Sequence, residues 1–485
     1  MESIETIFAK KTASDIITSL KERTTPAPNW AELVTEYDPT KHEIIEDQQG
    51  RSDKHHPDGK TDKAARLAIG LEKLLTQRMA EFTFAIPVKR VYHHEETDNQ
   101  KEIEKVIEKI YSVAHIDAEN KKRAVAYYAS CEALTLWYTK KLDKEHNLYG
   151  FPTKYKLKCK TFSPMDGTKL YPLIDEFGEM TAMSFEYRRK VEKDWVTFFE
   201  TYTATHRYKW KSVEGGEWEQ ISLDDRVIIG KIPAVYIYRP HPVWYGLTNL
   251  RKDIEYTLSR NSDVIAYNSA PILKVSGTII GDEMKGETRR VYRVQEGGDV
   301  SYVAWSQSIA ALEYHVKTLL NLYFMQAQIP DISFENMRGL GNIGYDARKM
   351  LFTDAHMKIG DESMAWVEFF EREGNVIKAF LKQMNTASPD RGFKEEDIDS
   401  VFIEHTITPY IQDDEMLTIN KWSKAGGDIP LVSPLEAIKR ANLSQDPEKS
   451  YNDIIAYNMM MAALKSPQQE QNGEEEDNQQ GNAQV

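Results

Sequence analysis

The chain has 485 residues, enough for roughly two to four domains around a sizeable core. Its 76 acids against 62 bases leave a net charge of −14, which excludes a protein gripping nucleic acid over its whole surface, because phosphate binding needs concentrated Lys and Arg. Only Cys131 and Cys159 occur, with no CxxC and no Cys/His quartet, so neither a disulfide framework nor a structural zinc site is expected.

In chain order, the start lacks the basic and apolar segments of a signal peptide, and residues 1–24 read as helical until Thr25-Pro-Ala-Pro28. Residues 40–62 are polar and turn-rich. The pair His55-His56 has no third ligand at suitable spacing, so an exposed loop is expected rather than a metal site. The pattern of Ala65, Leu67, Ile69, Leu71, Leu74, Leu75 and Met79 predicts a helix over 64–84, ending near Ile86-Pro87. Residues 99–113 and 119–142 read as two further helices. From Lys154 the pattern becomes strand-like, over 154–161, 186–191, 195–202, 206–212 and 232–238. Residues 1–245 therefore read as α+β, helices first and then a mainly antiparallel sheet.

Residues 246–330 read as helix, small β module, helix. The first helix carries Leu247, Leu250, Ile254, Leu258 and Ile265 on one face. The second carries Ile309, Leu312, Val316, Leu319, Tyr323 and Ala327, with Ser306 as its N-cap. Pro271 and Pro330 close them. Between them, strands are expected at 271–276, around Thr278-Ile-Ile280, at 289–295 and at 300–305. Glu296-Gly-Gly-Asp299 signals a hairpin joining the last two. Lys274, Lys285, Arg289, Arg290 and Arg293 form a basic set that could meet nucleic acid or an acidic protein. Cross-strand charge pairs explain it equally well. So few strands are marginally stable alone, which suggests pairing with copies from neighbouring chains.

Asp331–Gly344 is glycine-rich. A long helical region is expected over 345–386, apolar through Phe352, Met364, Val367, Phe370, Ile377, Phe380 and Leu381. Residues 400–408 alternate like a strand returning to the first domain's sheet. Residues 413–425, 433–441 and 449–464 read as helices, the middle one opened by a Ser433 and Glu436 capping box. Met459-Met-Met461 suggests packing at a helix interface. Residues 466–485 hold five acids and no bases, so disorder is expected there.

Chemistry-bearing motifs are sparse. Gly339-Leu-Gly341-Asn-Ile-Gly344 fits GxGxxG, which would make a nucleotide-dependent enzyme the alternative function. The segment before it is a poor core strand, however, and a flexible loop fits better. There is no GxxxxGK[ST], GxSxG or HExxH. Carboxylates are scattered, and the twelve histidines fall mostly in polar stretches that read as surface. No catalytic, cofactor or metal site is expected, and no run of ~18 apolar residues suggests a membrane span.

Several segments, in order, resemble the portal proteins of tailed bacteriophages of the long-tailed, siphovirus type. Lys63–Pro87 is similar to the family's "N-R-L … G-K-P" helix, though Lys63-Ala-Ala-Arg and Ala85-Ile-Pro stand in for the usual residues. Lys231-Ile-Pro-Ala-Val-Tyr236 is similar to "IPVVEF", and Pro271-Ile-Leu-Lys-Val-Ser-Gly277 to "P-I-L-x-V-x-G". Pro330-Asp-Ile-Ser-Phe-Glu-Asn336 is similar to "P-D-x-S-x-E-N", and Ser433 to Asn442 to "S-x-E-T-A-L-x-x-N".

The resemblance implies a non-enzymatic ring, typically of twelve copies, at one capsid vertex. It implies a channel for DNA packaging and ejection, and docking of the large terminase subunit and a head-to-tail connector or adaptor. Major capsid and scaffolding proteins would be further partners, with assembly in host cytoplasm. Residues 1–245 would form most of the wing, 246–270 and 307–330 the stem helices, and 271–306 the clip. Residues 331–345 would be the tunnel loop, 346–411 the long wing helix and returning strand, and 412–465 the crown. Asn336, Arg338, Gly339, Gly341, Asn342 and Gly344 would face DNA. Lys285, Arg289, Arg290 and Arg293 would contact a clip partner or DNA. Another virion structural subunit is the remaining alternative.

Overall fold

The computed structural model describes residues 3–23, 29–46, 51–94, 97–213, 215–221, 229–268, 272–284, 290–303, 309–331, 350, 352–386, 393–410, 415–426, 431–441, 444 and 446–477. The chain divides into two compact units: residues 1–342 with 349–410, and residues 343–348 with 411–485.

The larger unit opens with α1 (Ile4–Phe8) and α2 (Ala13–Leu20), not one helix. Ser3 and Thr12 each accept from a backbone amide three residues on, so each helix has its own N-cap. Next come α3 (Trp30–Tyr37), an exposed β1–β2 hairpin (Lys54–His55, Thr61–Asp62), α4 (Leu71–Phe84), β3 (Lys89–His93), α5 (Asp98–Ala114) and α6 (Ile116–Ser130). Strands β4 (Glu132–His146), β5 (Thr153–Phe162), β6 (Lys169–Ile174), β7 (Met180–Val191), β8 (Asp194–Tyr202), β9 (Arg207–Val213), β10 (Glu219–Gln220) and β11 (Ala234–Tyr238) follow. Two long helices, α7 (Thr248–Asn268) and α8 (Ile309–Ala327), flank β12 (Ile272–Ser276), β13 (Ile279–Met284), β14 (Arg290–Val294) and β15 (Asp299–Val303). The unit ends with α9 (Thr353–Thr386), α10 (Glu395–Ser400) and β16 (Phe402–Thr406).

The central part is layered. β6 to β10 form an antiparallel meander in the order β10-β9-β8-β7-β6, and β11-β4-β5 form a second antiparallel sheet. Pro172, which has no N–H to donate, sits on the meander's edge strand. The period-2 alternation sends Leu134 and Leu136 of β4 to meet Met183 and Phe185 of β7 between the sheets. Ala182, Phe199 and Trp210 point the other way and bury Ile7, Ile17 and Leu20 of α1 and α2. Trp137 and Ala133, on the far face of β4, join the main core with α4, α5, α6 and α9. There Arg123 is fully buried: it donates to both Glu373 oxygens (2.6 and 3.2 Å) and to Asn120, while Trp137 Nε1 donates to Glu373 at 2.9 Å.

Several expectations change. The stretch 119–142 is not one helix: it breaks at Cys131, whose φ of +65° is left-handed, and continues as β4 between two partner strands. Ala, Leu, Tyr and Thr suit either state, so strand pairing decides. The helix expected over 64–84 begins at Leu71, because the amides of Ala65, Leu67 and Ile69 donate to side chains of α7 instead of to a helix of their own. Strands β3 and β6 were not expected. β16 does return to the N-terminal region, but pairs with β3 rather than with either main sheet. On α9, Trp366 and Phe369 are buried while Met364 is exposed. Histidines are not all at the surface: His42 and His405 are buried.

The smaller unit contains α11 (Glu415–Ala425), α12 (Pro434–Ala441) and α13 (Pro447–Asp477). Ser433 Oγ accepts from Glu436 N at 3.2 Å, as expected of the N-cap, while the Glu436 carboxylate takes Arg440. Gly426 is needed there, since a Cβ would lie 2.9 Å from that of Ala437. Met459 and Met460 are exposed rather than packed. The final helix runs to Asp477, into the stretch expected to be disordered. Low hydrophobicity argues against a packed core but not against a helix, and Gln and Glu favour helix, although Pro467 and Gly473 oppose it.

Candidate functional site

The helix pair α7–α8 and its β module show a gradient of burial along their length. Just before α7 Leu247 is buried, and along the helix Ile254 is buried, Leu250 and Leu258 half-buried, and Ile265 exposed (56%). Along α8 the gradient reverses: Tyr314 is 74% exposed, Leu312 and Val316 are half-buried, and Leu319, Tyr323 and Ala327 are buried. The helices pack on each other, so both are rooted at the same end. The apolar stripes do not run out where burial does.

The root is polar as well as apolar. Gly246 (φ +84°) makes the turn into α7, and the buried Trp244 before it donates to Glu36 at 2.8 Å. At the other root, Gln328 takes φ +55° and Lys358 Nζ donates to the Ala327 carbonyl at 2.7 Å, capping the end of α8. Burial, with Arg239 nearby, lowers the Lys358 amine to about 8. Arg78 lies over the Phe324 ring at 5.3 Å.

One stripe of α7, opposite in character to the apolar one, is Arg251, Glu255, Ser259 and Asp263, each four residues apart. Arg251 bridges Glu72 (Nε to Oε1, 2.7 Å) and Glu255, all three buried. His42 Nδ1 lies 2.6 Å from Glu255 Oε1. Glu255 accepts from Ile69 N at 2.8 Å, Ser259 from Leu67 N at 2.9 Å, and Asp263 from Ala65 N at 2.7 Å and from Arg51. Two extended residues advance about 6.6 Å and four helical residues about 6 Å, so alternate amides of the strap meet successive turns of the helix. Burial lifts Glu72 to about 7 against the pull of Arg251. Its second oxygen is buried without a hydrogen-bond partner. The Glu-x-x-x-Ser-x-x-x-Asp spacing was the available signal for this strap.

The β module differs from its expected layout. Val303 to Asp299 pair with Ile272 to Ser276, and Val294 to Arg290 with Ile279 to Met284. Glu296–Asp299 therefore joins no hairpin between β14 and β15. It is a tight excursion (Gly298 N to Gln295 O, 2.8 Å) between β14, which pairs with β13, and β15, which pairs with β12. The kink brings Gly277, at φ +110°, so near Gly298 that a Cβ would lie 3.1 Å from its Cα. The two-residue link opposite a four-residue excursion favours this arrangement over the local turn signal.

Of the expected contact residues, Arg290 and Arg293 lie on β14, opposite Met284 and Gly281. Lys285, Arg289, Asn336, Arg338, Gly339, Gly341, Asn342 and Gly344 lie outside the described residues, as does Ser306. Among the described residues no group of three or more His, Cys, Asp or Glu is placed to hold a metal ion, and no helix is long and apolar enough to cross a membrane.

The family model described as "Phage portal protein, SPP1 Gp6-like" matches residues 27–476. No curated protein matches the chain. Among solved structures, the chain is similar to one in the neck of an empty gene transfer agent particle computed with C6 symmetry. They share 11% identity and a TM-score of 0.35, over 77% of this chain and 89% of that one. A chain in the neck of the native particle, computed with C12 symmetry, gives 11% and 0.36 over 88% and 98%. At such scores these likenesses carry no argument.

Proposed function

The chain belongs to the SPP1 Gp6-like phage portal family, and on that premise we propose that its copies form a ring, typically of twelve, at one capsid vertex. Membership makes it a structural protein and not an enzyme, which removes the nucleotide-dependent enzyme as a reading of Gly339–Gly344. The family match over most of the chain carries the proposal. DNA enters and leaves through the ring's centre, and the packaging motor and then a head-to-tail connector dock on it.

In this assignment residues 1–245 form most of the wing, α7 and α8 the stem, and 271–306 the clip. Residues 331–345 form the tunnel loop, 346–411 the long wing helix and returning strand, and 412–465 the crown. The burial gradient supports the stem reading: Ile265 and Tyr314 are apolar, exposed and distal from the root, as expected of faces that a neighbouring copy covers. The ribbon supports the clip reading, since a two-stranded ribbon leaves edges that neighbouring copies can complete. Arg338 and its glycine-rich neighbours would touch and release the DNA backbone.

Native mass measurement tests the assembly. A particle of about ten or more monomer masses supports the ring, and a monomer or dimer at all concentrations overturns it. Ile265→Glu is expected to lower the ring fraction severalfold while far-ultraviolet circular dichroism stays unchanged. Deleting 338–344 should leave the ring mass intact and reduce packaged DNA. A deletion variant that no longer forms rings contradicts the loop assignment.

A further inference from the structure

The two central sheets do not close on each other along their whole length. Where β4 and β5 splay from β7 and β8, a cavity of about 490 Å³ opens, lined in part by Lys160, Phe162, Tyr187, Arg189 and Lys209. Its floor is aromatic. Phe162 lies 4.8 Å from Phe185 and 6.4 Å from Tyr187, which in turn stacks at 5.4 Å on Phe198. Phe162 and Tyr187 are half-buried, so their rings remain in reach of a ligand.

The rim is cationic in a chain that is acidic as a whole. Lys160 sits 4.6 Å over the Phe162 ring, and Arg189 makes no ion pair among the described residues. Among the described residues the one carboxylate lining the cavity, Glu200, is already committed. Arg207 and Lys209 bind it at 3.0 and 2.9 Å, and the hydroxyls of Tyr187 and Tyr202 donate to it at 2.7 and 3.0 Å. Lys160 and Arg189 thus carry positive charge that no described side chain lining the cavity neutralises. Aromatic faces beside uncompensated cations suit a ligand that is planar at one end and anionic at the other. The volume falls in the range of small-molecule sites, roughly 300–1,000 Å³, and is too small for a duplex.

We propose that this cavity binds a nucleotide moiety, its base against Phe162 and Tyr187 and its phosphate at Lys160 and Arg189. The moiety is either a free nucleotide or one residue of a single strand. The site is separate from the α7–α8 helix pair, and the proposal does not depend on ring formation.

The test is calorimetric titration of the full-length protein with adenosine monophosphate, adenosine, inorganic phosphate, a short oligothymidylate and a short polyglutamate. Adenosine monophosphate is expected to bind at least about tenfold more tightly than adenosine or phosphate alone. Arg189→Glu, at an exposed position, should weaken it about tenfold or more. Phe162→Leu should weaken adenosine monophosphate while leaving phosphate unchanged. Tighter binding of the oligonucleotide than of the mononucleotide identifies a single strand as the source, and the reverse a free nucleotide. Phosphate or polyglutamate binding as tightly as the nucleotide, or an Arg189→Glu protein that binds like the parent, overturns the proposal.

Discussion

Glu72, at the root of α7, and Glu200, between the central sheets, are both buried glutamates bound to an arginine, yet they sit at opposite ends of the carboxylate range. Burial raises both. Arg207 and Lys209 together outweigh it at Glu200 and hold that carboxyl at about 2, whereas Arg251 alone does not at Glu72, which stands at about 7. Two cations and two hydroxyls serve one carboxylate in the first case. One guanidinium is divided between Glu72 and Glu255 in the second. The ratio of cations to carboxylates, not the closeness of any single pair, decides the outcome.

The comparison can be broken most severely at its shared cation. Arg251→Met leaves two buried carboxylates without a guanidinium and is expected to cost about 3–5 kcal/mol in urea unfolding. A loss below about 1 kcal/mol would mean that Glu72 already carries the cluster as a neutral acid. Glu200→Gln should cost about 3 kcal/mol at neutral pH. The folded-state value there lies below the ordinary one, so the stabilisation is present above about pH 4.5 and lost as pH falls toward about 2. The Gln variant should lack that acid slope, and a parental slope would refute the assignment.

Glu72→Gln sharpens the contrast with the smallest change. Its folded-state value is raised, so its contribution is complete below about pH 4.5 and lost as pH rises through about 7. Relative to the parent, the variant should gain about 2 kcal/mol between pH 5 and pH 8. A constant difference across that range would show that the carboxyl is not held protonated.

Much of the chain's organisation was legible because it is periodic. Both long helices of the α7–α8 pair, the strands of the meander and the helices of the smaller unit carry repeats of 3.6 or 2, and burial follows most of them. What was not legible depends on partners distant in sequence. Residues 65–69 carry a helical pattern, but their amides are taken by acceptors nearly two hundred residues away. The stretch after Cys131 is strand because β5 and β11 lie on either side of it. The turn signal at Glu296–Asp299 was locally correct and topologically misleading, since a tight turn can sit within a ribbon arm as well as at its end. The segments that resemble portal motifs in their order located the family, while the expected contact residues mostly fall outside the described part of the chain.

The strap along α7 behaves as a three-toothed rack against a helix. Sliding α7 by one residue, about 1.5 Å, disengages Glu255, Ser259 and Asp263 from their amides together. The next register lies four residues away, and in one direction it would set the Arg251 guanidinium, a donor, against an amide donor. Axial displacement of α7 is therefore opposed by three hydrogen bonds in the same register.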